Sequence, residues 1–497
     1  MTYPKRSVTE SYDGLLTWVS LLRHHGIGGL AGAGDGGGQV IRGYAEQPSP
    51  RAGGRVTLRV ATDAPEFRVE FHRCGDGLTR HGGSGWLPGR DAPHHPPYAD
   101  WGRPGTSLAG EPLAPWPEHS FEVPAGWPPG VYVAILVEGD GRGRDRSDPD
   151  RSTADGRSAR ALFVVRPAPD RAPAPILYKL PLLTYHAYNT VDGEPYDAGA
   201  GRGQWCLYNH PEDPALPTGV SVHRPGGGTG GTPYDVDNFD PFDPTPRQTY
   251  VHWDGRFAAW LEREGYEADF CTDVDLHREG RALLRPYRLM VSAGHDEYWS
   301  EAMRDAAEGY VGDGGNIAFF GGNTCWWRVV FHDDVTYSRV GFWHEEGRPE
   351  NHLTGVSFRN GGERDRDEHP VRVGYRVQHA GHWVYEGTGL RDGDVFGEEE
   401  YVVGYECDGA DFRRTRSPAV PTCEDGTPRT FTILAVGDAK ASGWGFGNAA
   451  ATLGVYERGG TVFNAATTDW PRALGNRHVA RVTRNVLTRL SGGNPPR

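Results

Sequence analysis

Residues 288–299 read Arg288-Leu289-Met290-Val291-Ser292-Ala293-Gly294-His295-Asp296-Glu297-Tyr298-Trp299, and the fold is decided by how this stretch is parsed. Arg288 to Ser292 is a short apolar run ahead of a glycine and a polar cluster, the pattern of a buried strand. Downstream, 300–311 places Met303, Ala306, Ala307, Tyr310 and Val311 on one helical face. Gly312 and Asp313-Gly314-Gly315 stop that helix, and Asn316-Ile317-Ala318-Phe319-Phe320 reads as a second strand. Strand, helix and strand at this spacing predict a parallel sheet with helices on its faces.

Working outward, 176–183 is a further buried-strand candidate and 268–271 another. Phe257-Ala258-Ala259-Trp260-Leu261 lies in a short amphipathic helix ending at Gly265. The strand pattern resumes at 431–436 and at Thr461-Val462-Phe463-Asn464-Ala465, followed by a helix over 477–490. Between about 330 and 430 the chain is irregular and β-like, which predicts an insertion covering the carboxyl edge of the sheet. This α/β domain is expected over 176–497. Before it, 166–175 alternates with proline and predicts a stiff linker. Residues 39–168 read as all-β, with Arg55-Val56-Thr57-Leu58-Arg59-Val60 and Phe67-Arg68-Val69-Glu70-Phe71 alternating and Gly130 to Val137 following a Pro-Pro-Gly turn. Short strands between Gly/Pro turns predict an immunoglobulin-like β-sandwich. Residues 1–38 form an N-terminal segment that ends in a glycine-rich connector, 26–38.

The chain has 497 residues and a formal charge of -14, which argues against a nucleic-acid binder, since that affinity needs clustered positive charge. No apolar run approaches the roughly 20 residues of a membrane span. The run 14–22 is preceded by Glu10 and Asp13 and stopped by Arg23-His24-His25, so it reads as an amphipathic segment rather than a leader. Six cysteines lie far apart with no CxxC pair and predict neither a disulfide framework nor a zinc site. A cytoplasmic location is expected.

Three polar clusters fall at carboxyl ends of predicted strands: 294–299, Gly321-Gly322-Asn323-Thr324-Cys325-Trp326-Trp327, and Cys271-Thr272-Asp273-Val274-Asp275-Leu276-His277. Each has a plain alternative. Asp296 or Glu297 could complement the positive end of the following helix, and Asn323 could be a turn residue with positive φ. Asp273, Asp275 and His277 fit a metal cluster or a capping cluster equally. His24-His25 and His94-His95 sit in polar or proline-rich segments and read as solvated. Cys325 follows a strand as a nucleophile would, but no G-x-C-x-G surrounds it and bulky Trp326-Trp327 follow at once.

His295-Asp296-Glu297-Tyr298-Trp299, Phe319-Phe320-Gly321-Gly322-Asn323-Thr324, Thr184-Tyr185-His186-Ala187-Tyr188-Asn189 and Val403-Gly404-Tyr405-Glu406 together resemble the N,N-dimethylformamidase large (beta) subunit family over most of 176–490. The resemblance implies a class I glutamine-amidotransferase-like α/β fold without the cysteine machinery, preceded by the β-sandwich. It also implies one ferric ion (Fe3+) held by two tyrosinates and a glutamate, and hydrolysis of the C–N bond of a small amide. By this likeness Glu297 is the glutamate ligand, His295 the catalytic histidine, Asn323 the asparagine of the next strand-end loop and Glu406 the acidic partner of the histidine. Tyr188 is the first tyrosine, with Tyr185 and Tyr196 as neighbours able to replace it, and Tyr234 is the second. Arg224-Pro225 is followed by Gly226-Gly227-Gly228 where many relatives have Arg-Pro-Tyr. A small separate subunit or a homo-oligomer is the implied assembly. Tyr298, Trp299, Trp326 and Trp327 are expected to wall an apolar pocket. The competing expectation is a non-catalytic scaffold whose Trp-rich edge binds a carbohydrate or other polar ligand.

Overall fold

The computed structural model describes residues 41–92, 116–142, 158–189, 206–208, 219–229, 242–243, 245, 247–363, 371–413, 418–440, 444–445 and 447–493. The N-terminal segment 1–38, His94, His95, Tyr196 and Tyr234 lie outside the described residues. Mixed β-sheets with interspersed helices build a multidomain molecule.

The first part holds strands β1 (Arg42–Ala45), β2 (Arg55–Ala61), β3 (Glu66–Gly75), β4 (Gly77–Gly83), β5 (Glu118–Glu122), β6 (Gly130–Gly139) and β7 (Ser158–Val165). They form two antiparallel sheets, β1-β2-β5 and β4-β3-β6-β7. Alternation puts Val56, Leu58 and Val60 of one sheet against Phe67, Val69 and Phe71 of the other in a shared core. Strand β6 is buried along its whole length. Its Tyr132, Ala134 and Leu136 enter that core, whereas Val131, Val133, Ile135 and Val137 enter the core of the second part. A strand with both faces covered carries an unbroken apolar run, as Gly130 to Val137 does.

The proline-rich stretch after β7 is docked rather than free. Arg166 pairs with Asp275 at 2.9 Å and with Glu279 at 3.0 Å. Asp269 accepts from Arg171 at 2.6 Å and from the Ala174 N–H at 3.0 Å.

The second part is organised by nine strands: β8 (Ile176–Leu180), β9 (Ala268–Thr272), β10 (Leu289–His295), β11 (Asn316–Gly322), β12 (Tyr375–Val377), β13 (Val395–Phe396), β14 (Thr432–Asp438), β15 (Ala450–Arg458) and β16 (Gly460–Asn464). Their order is β9-β8-β10-β11-β16-β15-β14-β12-β13. The first five are parallel, as the strand–helix alternation predicts. The rest are antiparallel, which the periodicity did not reveal. Only Gly459, at φ +82°, separates β15 from β16, and so tight a turn can join only antiparallel strands. The region 330–430, expected as an insertion, supplies β12 and β13 to the sheet itself, and its Glu406 and Asp408 meet the loop after β11. The helices include α1 (Leu182–Tyr188), α2 (Asp254–Arg263), α3 (Asp273–Glu279), α4 (Arg281–Leu284), α5 (Glu301–Gly312) and α6 (Arg477–Ser491).

A buried ionic triad fastens β8 to the loops beside it. Lys179 Nζ lies 2.5 Å from Asp273 and 2.7 Å from Asp296, with all three side chains almost fully buried. Burial by itself lowers the ammonium pKa, but the two carboxylates outweigh it and hold Lys179 protonated. Nearby, Asp254 accepts from Tyr178 at 2.6 Å and from Tyr185. Burial pushes its carboxyl up to about 7 from 3.8. An acid raised in this way holds its proton more tightly folded than unfolded. The stability it contributes is therefore complete below the unfolded value and is lost as pH rises through about 7. Chemical denaturation across that window should show the loss in the parent chain and a flatter profile in Asp254→Asn.

Candidate active site

Parallel pairing of β10 with β11 runs from Leu289 opposite Asn316 to His295 opposite Gly322, so the two polar loops leave the sheet side by side. Gly294 sits at φ +68°, and a Cβ there would lie 2.5 Å from Cβ of Trp253, so no larger residue fits ahead of His295. Asn323 has φ +46°, the turn conformation its residue type tolerates, and it also reaches the site. The backbone N–H groups of Asn323 and Thr324 donate to Asp408 at 3.0 and 3.3 Å. Asp408 is two residues beyond Glu406 on the strand Glu406–Gly409, a spacing that puts both carboxyls on one face toward this loop. Burial holds the Asp408 carboxyl well above its usual range, against those two donors.

His295 is completely buried. Its Nε2 is 2.8 Å from Glu406 Oε2, 3.4 Å from Glu297 Oε2 and 3.4 Å from Asn323 Nδ2. Asn323 Nδ2 also donates to Glu406 Oε2 at 3.3 Å. On the opposite side of the ring, Nδ1 is 2.9 Å from Gln248 Oε1. Trp253 and Tyr405 stand edge-on to the imidazole, with centroids at 5.8 and 6.1 Å. Asn323 Oδ1 and Gln248 Nε2 are buried with no hydrogen-bond partner among the described residues, so polar capacity remains for a ligand or water. Gln248 was not singled out by sequence reasoning. It precedes His295 by 47 residues in an irregular segment, and only its positive φ of 57°, invisible in sequence, marks it.

Glu297 is the second focus. Its N–H donates to Thr184 Oγ1 at 3.1 Å, which ties the loop to α1. Tyr188 Oη, from the last turn of α1, lies 2.8 Å from Glu297 Oε2. Tyr208 Oη lies 3.0 and 3.2 Å from the two carboxylate oxygens and 2.8 Å from Tyr188 Oη. Tyr298 donates to Tyr208 from the far side. Arg339 is stacked between the Tyr208 ring, at 4.8 Å, and the Trp327 ring, at 4.4 Å. Burial raises the Glu297 carboxyl; the His295 charge and the Tyr188 and Tyr208 hydrogen bonds pull it down, and the Glu406 charge pushes it up. The three phenols are held well above their ordinary value, first by burial and then by the Glu297 charge.

The structure thus brings together His295, Glu297, Asn323, Glu406 and Tyr188. Tyr234 falls outside the described residues, and the second phenol on Glu297 is Tyr208, which sequence reasoning passed over. Tyr185 turns away to Asp254. Among the described residues no group of three His, Cys, Asp or Glu side chains is placed to hold a metal. The donors that do converge, two phenol oxygens and one carboxylate, are all hard oxygens, the donor class that suits a hard cation.

Several other polar residues of the motifs are structural. Asp296 belongs to the Lys179 triad and accepts from Ser292 at 2.5 Å. Neither Asp296 nor Glu297 complements a helix end: α5 begins at Glu301 and is capped by Ser300, whose Oγ accepts from the Met303 N–H at 3.3 Å. Asp275 forms a capping box with Thr272, Asp273 pairs with Lys179, and His277 contacts Ser300 at 2.8 Å, so that cluster caps and braces. Cys325 is fully buried, which pushes its thiol far up, and its backbone accepts the turn at φ +59°. Trp299 is buried in the core beside Lys179 at 4.8 Å instead of walling a pocket, because its indole N–H is drawn to Asp296 at 3.0 Å. Trp326 and Trp327 are half-buried and pack with Phe342 at 4.7 and 3.9 Å.

Two curated relatives match the chain, the N,N-dimethylformamidase beta subunits of Paracoccus aminophilus and of Alcaligenes sp, each 24% identical over 277 residues. Each match takes in 48% of this chain and 36% of the relative, so the chain spans about a third of their length. Solved structures with partial likeness include the mmIFT52 N-terminal domain (TM-score 0.29, 12% identity, 47% of this chain and 88% of that one). Another is a thua-like protein from Parabacteroides merdae (TM-score 0.24, 14% identity, 47% and 82%). The family profile described as N,N-dimethylformamidase beta subunit-like, C-terminal, matches residues 104–481, most of the chain, and the protein belongs to that family.

Proposed function

We propose that this chain hydrolyses the C–N bond of a small amide at the His295–Glu297 site. The observation that carries the reading is the pairing of His295 Nε2 with Glu406 at 2.8 Å, beside a carboxylate on which two phenols converge. The names of the curated relatives, N,N-dimethylformamidase beta subunits, support a small tertiary amide as the substrate class.

Tyr188, Tyr208 and Glu297 would hold a single ferric ion. Bound there, such an ion supplies Lewis acidity toward an amide carbonyl and lowers the pKa of water. The His295 Nε2–Glu406 pair takes up the proton of the attacking water and returns it to the nitrogen of the departing amine. Glu406 stabilises the imidazolium between those two transfers, and Gln248 fixes the opposite ring nitrogen. Asn323 Nδ2 donates to the carbonyl oxygen as negative charge develops on it. Complete burial of His295 and near-complete burial of Glu297 and Asn323 keep bulk water from the reacting atoms.

The rest of the reading stands with this proposal. The facing N-terminal sheets are taken as an immunoglobulin-like sandwich over 39–168, and the nine-stranded sheet as the core of a glutamine-amidotransferase-like domain over 176–497. A cytoplasmic protein working with a small subunit or as a homo-oligomer completes it. Among the described residues no helix is long and apolar enough to cross a membrane. The half-buried Trp326, Trp327 and Phe342 favour a second reading, in which the same edge binds a polar ligand without turnover.

Metal content tests the proposal. Protein expressed with iron should carry it and absorb visible light through tyrosinate–iron charge transfer. Glu297→Gln and Tyr208→Phe should each lose the colour, whereas Tyr234→Phe should keep it. Colour lost in Tyr234→Phe and retained in Tyr208→Phe would reverse the assignment of the second phenol. A colourless, iron-free parent chain that turns over no small amide would leave the ligand-binding reading.

A further inference from the structure

A cleft of about 570 Å³ opens at the end of the sheet opposite the candidate site and is lined by Arg281, Arg285, Arg288 and Arg489. It reaches Arg288, the residue before β10, and Asn316, the first residue of β11, whereas His295 and Asn323 leave the other ends of these strands. Seven residues of strand put the two places about 20 Å apart. The cleft also runs against the charge of the molecule, which carries 66 acidic residues against 52 Lys and Arg.

Arginines at such a place have an ordinary explanation. The long helices α5 and α6 both end here, with Asp313 and Gly492 as their C-caps, and cations offset the partial negative charge of helix C-termini. The single turn α4, with Arg285 as its C-cap, adds little because few peptide dipoles align in it. Magnitude decides against that as the full account. Each terminus is worth about half a negative charge, and the acidic side chain in the lining is Asp313, which Arg281 already engages. Together these offset about half of the four guanidinium charges. Arg489 is stacked on Trp383 at 4.9 Å. Arg285 and Arg288 are exposed and have no carboxylate partner among the described residues.

We propose that this cleft binds the phosphoryl group of a small phosphorylated molecule, held between Arg285 and Arg288. A residual charge near two positive units matches a phosphoryl dianion, and the planar guanidinium fork pairs with phosphate oxygens two at a time. The volume is that of a small-molecule site, and the Tyr287 and Tyr310 walls leave room for the remainder of the ligand.

Isothermal titration of the full chain at low ionic strength with inorganic phosphate, pyrophosphate and ATP tests this. Saturable binding of at least one probe is expected, about tenfold or more weaker in Arg285→Gln/Arg288→Gln and unchanged in Arg55→Gln on the distant strand β2. Thermal unfolding should be the same in all three proteins, since the replaced side chains are exposed. No saturable binding to the parent chain would overturn the proposal. So would equal affinity in the double variant, because phosphate held by a metal at Glu297 would survive that change. Tighter binding of succinate than of any phosphorylated probe would replace the phosphoryl assignment with a dicarboxylate one. None of these outcomes depends on amide hydrolysis.

Discussion

His295→Ala is expected to lose about 10²–10⁴-fold in kcat toward small amides while keeping its iron and its colour. The imidazole sits at the meeting point of Glu406, Asn323 and Gln248 but is not one of the three oxygen donors, so its removal takes away proton transfer and leaves the donor set intact. Glu297→Gln has the opposite signature: iron and turnover are lost together, because the amide replaces the charged donor on which Tyr188 and Tyr208 converge. Steady-state kinetics read beside elemental analysis separate the two. Equal loss of iron from both variants would sink this division of labour, since His295 would then be holding the metal. Unchanged kcat in iron-loaded His295→Ala would remove the histidine from the chemistry altogether.

Lys179→Met is expected to destabilise the fold by about 3–5 kcal/mol. The ammonium is fully buried between Asp273 and Asp296, and its loss strands two carboxylates away from water. Burial already pushes Asp273 up to about 7 with the lysine present. Removing the cation should raise it further, so the variant binds a proton on folding and loses stability as pH rises. Urea denaturation of parent and variant at two pH values checks both statements. Adding Asp296→Asn to Lys179→Met should recover part of the loss, because one buried charge is then gone. A single variant within about 0.5 kcal/mol of the parent would mean that water or a rearranged partner reaches the triad. The site would feel such a loss, since Asp296 lies between His295 and Glu297 and anchors the loop carrying both.

The local elements were legible in the sequence because their signals are local. Leu289 to Ser292 and Asn316 to Phe320 are apolar runs closed by glycines, and the helix between them shows its buried stripe at the expected spacing. Family membership was legible too, because short motifs keep residue type and order. Tertiary structure alone decided what each polar residue does. His295, Asp296 and Glu297 are consecutive, yet the first and third face the candidate site while Asp296 turns into the core to meet a lysine 117 residues earlier. Tyr185 and Tyr188 share one helix, and their phenols go to different carboxylates, Asp254 and Glu297. Gln248 and Tyr208 lie in irregular segments with no periodicity to mark them, and the antiparallel half of the sheet follows from turns and not from strand pattern. Residue chemistry and short-range periodicity are written along the chain, whereas the partner of a buried charge is set by which distant backbone arrives beside it.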